Sequence, residues 1–177
     1  MLIVPPPPPP KPRKISRIEL NRRFPLQCAI DPSSHVVTVP ASWRNAYLRR
    51  FVISSDLPAA WLHRDAIDSF ALFVKLADDA GLLGRIIENG GGFVPRLMRG
   101  NVPVSMDGVS LHTYGVALDL NPEQNKRGTH GAAIGEHGCL RELVPMAYAA
   151  NLTWGGDWLG AYQDPMHFEV AAEKVAS

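Results

Sequence analysis

The segment from Gly115 to Leu120 alternates between apolar side chains and others, and it constrains the fold more than any other part of the chain. Its larger apolar residues occupy every second position, whereas Asp119 lies on the opposite face. Alternation with a period of two is typical of a strand with one buried face. The sequence therefore predicts a strand here that presents a single carboxylate from its other face, and Asn121-Pro122 ends it.

Four further segments indicate the fold class. Apolar residues at helical spacing predict a helix over 63–83 and a second helix over 140–150, and alternation predicts a short strand over 166–170. The Asn-Gly-Gly-Gly run at 89–92 predicts a break in regular structure. The resulting order of helix, strand, loop, helix and strand predicts an α+β domain with a small, mostly antiparallel sheet packed with helices.

The N-terminal third of the chain is less regular. Residues 1–14 are rich in proline and contain three basic residues, so we expect a disordered tail. Residues 15–59 form an N-terminal extension in which 35–39 is a short strand and 44–53 is either a strand or a helix. The main domain is then expected to span residues 60–177.

Composition excludes several classes of protein. The 177 residues have a formal net charge of +1 and are 20% charged, so no strong field favours nucleic acid as a partner. No stretch approaches the roughly 18 consecutive apolar residues of a membrane span. The two cysteines, Cys28 and Cys139, are too few for a disulfide framework, and they form either one bridge or two free thiols.

Polar residues cluster in three short stretches: 110–119, 154–158 and 164–169. His112 and Asp119 meet only if the chain turns near Gly115, and His167 on a neighbouring strand is the best-placed third partner. Three nitrogen or oxygen ligands with an open fourth position are the pattern of a catalytic zinc site. Taken separately, each residue also fits an ordinary role, as a hydrogen-bonded histidine or a capping aspartate.

The three stretches together resemble the M15 family of zinc peptidases. The motifs that carry the resemblance are Ser110-x-His112-x-x-Gly115-x-Ala117-x-Asp119, Trp154-Gly-Gly-Asp-Trp158 and Asp164-Pro-Met-His167-Phe168. The family includes D-alanyl-D-alanine carboxypeptidases and phage L-alanyl-D-glutamate endolysins, and the resemblance covers roughly residues 60–172. It implies a cleft at the sheet in which His112, Asp119 and His167 hold a zinc ion.

The resemblance also assigns roles to residues near the metal. Asp164 would be the general base that takes a proton from the attacking water. Glu169 is the alternative base, because it shares a strand face with His167. An arginine upstream of the first histidine would stabilise the developing oxyanion, and Arg96 and Arg99 are the candidates. Asp157 would hydrogen-bond to a ligating histidine.

The implied function is hydrolysis of peptidoglycan stem peptides. The Gly-Gly-Asp-Trp block favours an endolysin-like L-Ala-D-Glu endopeptidase over a D-Ala-D-Ala carboxypeptidase. The alternatives are an inactive cell-wall-binding module with the same fold and a zinc-stabilised structural protein. A structural site usually has four ligands and is richer in cysteine, whereas Cys28 and Cys139 lie outside the motifs. We expect a monomer without a recognisable signal peptide, made in the cytoplasm and acting at the cell wall once released.

Overall fold

The computed structural model describes residues 7–172, and within them helices pack on small antiparallel sheets. The strands are β1 Ala29–Ile30, β2 Val37–Thr38, β3 Leu48–Phe51, β4 Ala60–His63, β5 Asn89–Gly91, β6 Ala117–Leu120, β7 Leu152–Trp154 and β8 His167–Val170. The α-helices are α1 Arg17–Arg23, α2 Ala41–Tyr47, α3 Ile67–Asp79, α4 Leu111–Tyr114 and α5 Val144–Ala149. The predicted α+β class with a small antiparallel sheet is confirmed.

The largest sheet has four strands in the order β5-β6-β8-β7, and each neighbouring pair is antiparallel. Leu118 and Phe168 are opposite each other and fully buried, and the Phe168 ring stacks on Phe73 of α3. This face of the sheet therefore covers the helical core. Because side chains alternate along a strand, Asp119 and His167 project from the other face.

Both predicted helices exist within narrower limits. In place of a helix over 63–83, strand β4 runs to His63, a 3₁₀ turn covers 64–66, and α3 covers 67–79. The predicted helix over 140–150 is a 3₁₀ turn at 141–143 followed by α5. Pro145 lies in the first turn of α5, where its missing N–H removes no helical hydrogen bond.

The predicted break at 89–92 is wrong for its first three residues, which form edge strand β5. This strand pairs with β6 through an irregular register, and the Asn89 side chain accepts a hydrogen bond from the Gly91 N–H at 3.0 Å. A glycine-rich strand survives here because β6 supplies an unpaired edge. The segment 44–53 divides into the end of α2 and the strand β3, and only Val37–Thr38 of the predicted strand 35–39 is extended. Both cysteines are free.

Residues from the predicted N-terminal extension pack into the same core as the rest of the chain. Leu20 and Phe24 are almost fully buried in it, and the Tyr114 hydroxyl donates to Asn21 at 2.6 Å. Lys14 forms an isolated β-bridge with Ala171 next to β8. Residues 1–6 of the predicted disordered tail lie outside the described residues. Within residues 7–172, no helix has the length and apolar character that crossing a bilayer requires.

Candidate metal centre

The first motif folds into a single helical turn that fixes His112. The Ser110 hydroxyl caps α4 by accepting the His112 N–H at 3.3 Å, and Gly115 ends the helix in the left-handed region with φ of +70°. A side chain at position 115 would also place its Cβ 2.8 Å from the backbone nitrogen of His63. Glycine is therefore required both for the turn and for the close contact, and the predicted reversal near Gly115 is present.

The register between β6 and β8 brings the other two predicted ligands together. Asp119 lies directly opposite His167 across the antiparallel pair. The Nε2 of His112 is 3.2 Å from the Oδ1 of Asp119 and 3.2 Å from the Nδ1 of His167, and the last two atoms are 3.1 Å apart. Two nitrogens and one oxygen thus form a nearly equilateral triangle.

The protonation of the two rings shows that this triangle suits a cation. The Nδ1 of His112 lies 2.7 Å from the Gly92 carbonyl, which only accepts, so this nitrogen carries the proton. The Nε2 of His167 lies 2.9 Å from Glu169 and donates to that carboxylate. In neutral rings, Nε2 of His112 and Nδ1 of His167 therefore hold lone pairs that point at Asp119. A cation is needed to satisfy these two nitrogens and the Oδ1 of Asp119 together.

The dimensions of the triangle are compatible with a zinc ion. Tetrahedral ligands at the usual zinc distance of about 2.0–2.1 Å are separated by about 3.3 Å, close to the 3.1–3.2 Å separations here. His112, Asp119 and His167 are the group of potential ligands that the described residues bring together. Three ligands leave the fourth tetrahedral position open, as in catalytic zinc sites.

Buried charges around the triangle favour a bound positive charge. Burial alone would lower the pKa of His167, but its hydrogen bonds with Asp119 and Glu169 outweigh this and raise the pKa to about 10. Burial likewise opposes ionisation of Asp119, yet hydrogen bonds from the two histidines hold its pKa below the ordinary range. Both shifts favour positive charge at this position, which a bound metal ion would supply.

Asp164 lies beside the triangle in a tight turn. The His167 N–H donates to the Asp164 carbonyl at 3.0 Å, so the chain turns at Pro165, and both residues line the same cleft. Its Oδ1 is buried without a hydrogen-bond partner among the described residues. Burial raises the pKa of Asp164, and proximity to Asp119 adds to the rise while His167 opposes it. A buried carboxylate with a raised pKa and a free oxygen suits a general base.

A cleft of about 330 Å³ opens over these residues and includes both predicted arginines. Arg96 is held through its backbone, since its N–H donates to the Thr113 hydroxyl at 2.9 Å. Burial lowers the pKa of Arg96, and nearby Asp119 opposes this shift. Arg99 also lines the cleft. Both predicted arginines thus face the space where a substrate would lie.

Lys14 and Arg127 line the same cleft, and neither was expected from the sequence. Lys14 places its Nζ 3.5 Å from Glu169 and 4.2 Å from the centre of the Trp158 ring. It lies in the proline-rich segment, and Arg127 lies in the polar loop after β6. No motif marks either residue, and only the folded chain brings them to the site.

The expected contact between Asp157 and a ligating histidine is not formed. Asp157 instead accepts a hydrogen bond from the Tyr148 hydroxyl and pairs with Lys11 at 2.9 Å. The His167 ring packs against Trp158, with ring centres 5.2 Å apart. The Gly-Gly-Asp-Trp block therefore supports the wall of the cleft through its tryptophan, and its aspartate fastens the N-terminal segment.

Comparison with known families agrees with this geometry. Residues 105–170 match the family model described as D-alanyl-D-alanine carboxypeptidase, and no curated protein matches the chain. The matched segment contains His112, Asp119, Asp164 and His167, whereas Arg96 and Lys14 precede it. Over these residues the chain is similar to the M15 peptidases, a class of hydrolases, and the resemblance predicted from the motifs is confirmed.

Proposed function

We propose that this protein is a zinc-dependent peptidase that hydrolyses the stem peptides of peptidoglycan. The observation that carries the proposal is the triangle formed by His112, Asp119 and His167 beneath an open cleft, with the unpartnered carboxylate of Asp164 beside it. The substrate class follows from the description of the matched family.

The residues of the chain divide the reaction among them. Zinc in such a site supplies a water of lowered pKa and polarises the scissile carbonyl. Asp164 takes a proton from the attacking water and later passes it to the leaving amine. Arg96 offsets negative charge on the carbonyl oxygen as the tetrahedral intermediate forms. Glu169 keeps the His167 ring oriented through the nitrogen that faces away from the metal.

The proposed bond is that between L-Ala and D-Glu, cleaved by endopeptidase action. The Gly-Gly-Asp-Trp block favours this specificity. The second candidate is removal of the terminal D-Ala from a D-Ala-D-Ala peptide, which the description of the matched family favours.

Digestion of purified peptidoglycan followed by mass analysis of the fragments tests the activity and locates the bond. Zinc-loaded protein should release defined peptides, and chelation should abolish the release until zinc is restored. Asp164→Asn should lower kcat by about 10²–10⁴-fold, because the base is lost, while the protein keeps its metal. Asp56→Asn, on an exposed turn, is the matched control and should remain active. A protein that bound peptidoglycan but released no fragments in any form would instead be the inactive binding module.

A further inference from the structure

Three arginines face the cleft, and none has an acidic partner. Arg96, Arg99 and Arg127 line it, and within residues 7–172 no carboxylate lies within 4 Å of any of these guanidinium groups. Arginines without an acidic partner in a concave site are suited to binding an anionic ligand, because the guanidinium group matches a carboxylate in two-point geometry.

The acidic residues of the cleft do not neutralise these arginines. The carboxylates among its described lining residues are Asp164 and Glu169. Glu169 is occupied by His167 and by Lys14, whose Nζ lies 3.5 Å away. Asp164, together with Asp119 at the base of the cleft, is therefore left to face three guanidinium groups, and this part of the cleft has an excess of positive charge.

Backbone contacts fix Arg127 beside Asp164. The N–H of Gly128 donates to the Gln163 carbonyl at 2.7 Å, which ties the loop carrying Arg127 to the residue before Asp164. The Nη2 of Arg127 approaches the Arg99 carbonyl at 3.4 Å, so the two arginines are neighbours. Arg96 differs from this pair because its backbone is tied to Thr113 of α4, next to His112.

We propose that Arg99 and Arg127 form a subsite for the free carboxylate of the substrate residue that contains the leaving amine. Asp164 delivers a proton to that amine under the proposed function, on which this inference rests, so groups beside Asp164 lie on the leaving side of the bond. Arg96 is then left to serve the scissile carbonyl. The arrangement also gives separate roles to the two arginines that the sequence left as alternatives.

The subsite requires a free carboxylate on the leaving residue, and either of the two candidate bonds provides one. In L-Ala-D-Glu the leaving residue has a free α-carboxylate, and in D-Ala-D-Ala the leaving residue has the terminal carboxylate. Two pairs of synthetic peptides therefore probe the subsite, one for each bond, with the carboxylate either free or converted to a carboxamide. The pair in which the carboxylate peptide binds more tightly than the carboxamide peptide identifies which source of carboxylate the cleft accepts.

The decisive experiment measures binding of these four peptides by calorimetry to zinc-loaded protein containing Asp164→Asn, so that no turnover interferes. The carboxylate form of one pair should bind about 10-fold to 100-fold more tightly than its carboxamide. Adding Arg127→Gln or Arg99→Gln should remove that preference and leave carboxamide binding unchanged. Lys126→Gln, which removes a charge from the same loop next to Arg127, is the matched control and should keep the preference.

Equal binding of carboxylate and carboxamide peptides in both pairs would overturn the proposed subsite. An equal loss of affinity for both forms in Arg127→Gln would overturn it as well. These results are separate from a failure of the proposed function. A protein that cleaves no peptide but prefers the carboxylate through Arg127 retains the subsite without the activity. A protein that cleaves peptides without this preference retains the activity without the subsite.

Discussion

Replacing Glu169 with glutamine separates two roles that the sequence allowed for this residue. The carboxylate is 2% exposed and lies 2.9 Å from the Nε2 of His167, on the far side of the ring from the metal-facing nitrogen. In this position it would orient and polarise His167 as a metal ligand, and it is poorly placed to act as the base. Glutamine keeps the size of the side chain but removes the negative charge.

The expected magnitude follows from this single contact. Loss of a carboxylate partner behind a ligating histidine typically weakens metal binding by about 10–100-fold, which corresponds to about 1.4–2.7 kcal/mol. Glu169 also faces Lys14 at 3.5 Å, but that lysine is more than half exposed and adds little. We therefore expect the zinc dissociation constant of Glu169→Gln to rise within this range.

Competition with a chromophoric zinc chelator at neutral pH measures the change. Glu142→Gln is the matched control, because Glu142 also pairs with a basic group, Arg85 at 3.0 Å, away from the metal centre. Its zinc affinity should equal that of the unmodified protein. An unchanged zinc affinity in Glu169→Gln together with a collapse of kcat would refute the reasoning and identify Glu169 as the base in place of Asp164.

Two further predictions concern packing and pH. Alanine at Gly155 would place its Cβ 2.5 Å from the Asp164 carbonyl oxygen and 3.1 Å from the Cβ of His167. We therefore expect urea unfolding of Gly155→Ala to show a free energy of unfolding lower by about 1–3 kcal/mol, together with weaker zinc binding. Gly84→Ala, with open space around it, should change neither quantity, and wild-type zinc affinity in Gly155→Ala would contradict the geometry. Burial lowers the pKa of His63 from 6.5 to about 4. The unfolded chain binds this proton near pH 6.5 and the folded chain does not. The contribution of His63 to the free energy of unfolding is therefore complete above that pH and falls by up to about 3 kcal/mol as the pH drops to 4. Urea unfolding of His63→Gln should lack this pH-dependent loss, and a pH dependence identical to that of the unmodified protein would exclude the role of His63.

The strands that carry the candidate metal centre were predictable from the sequence because their alternation is strong. Leu118 and Leu120 of β6, with Val116 just before it, define the buried face, so the opposite direction of Asp119 follows directly. The pairing with His167 depends on register, which short strands do not encode locally. Family motifs supplied the missing link between the two strands.

The remainder of the site depends on contacts between distant parts of the chain. Lys14 is 155 positions away from Glu169, and Gly92, whose carbonyl accepts a hydrogen bond from Nδ1 of His112, was expected to lie in an irregular break. The edge strand β5 is stabilised by its neighbour and not by the propensity of its glycines. Neither local periodicity nor spacing contains such information, so these parts of the site became visible only in the folded chain.

Metal content is the most direct test of the central claim that His112, Asp119 and His167 hold one catalytic ion. Protein stripped by a chelator and then equilibrated with zinc should retain one zinc per chain after desalting. His112→Ala should lose this retained zinc while keeping its circular dichroism spectrum. A protein that retains no zinc, or a His112→Ala variant that retains it with unchanged affinity, would contradict the account.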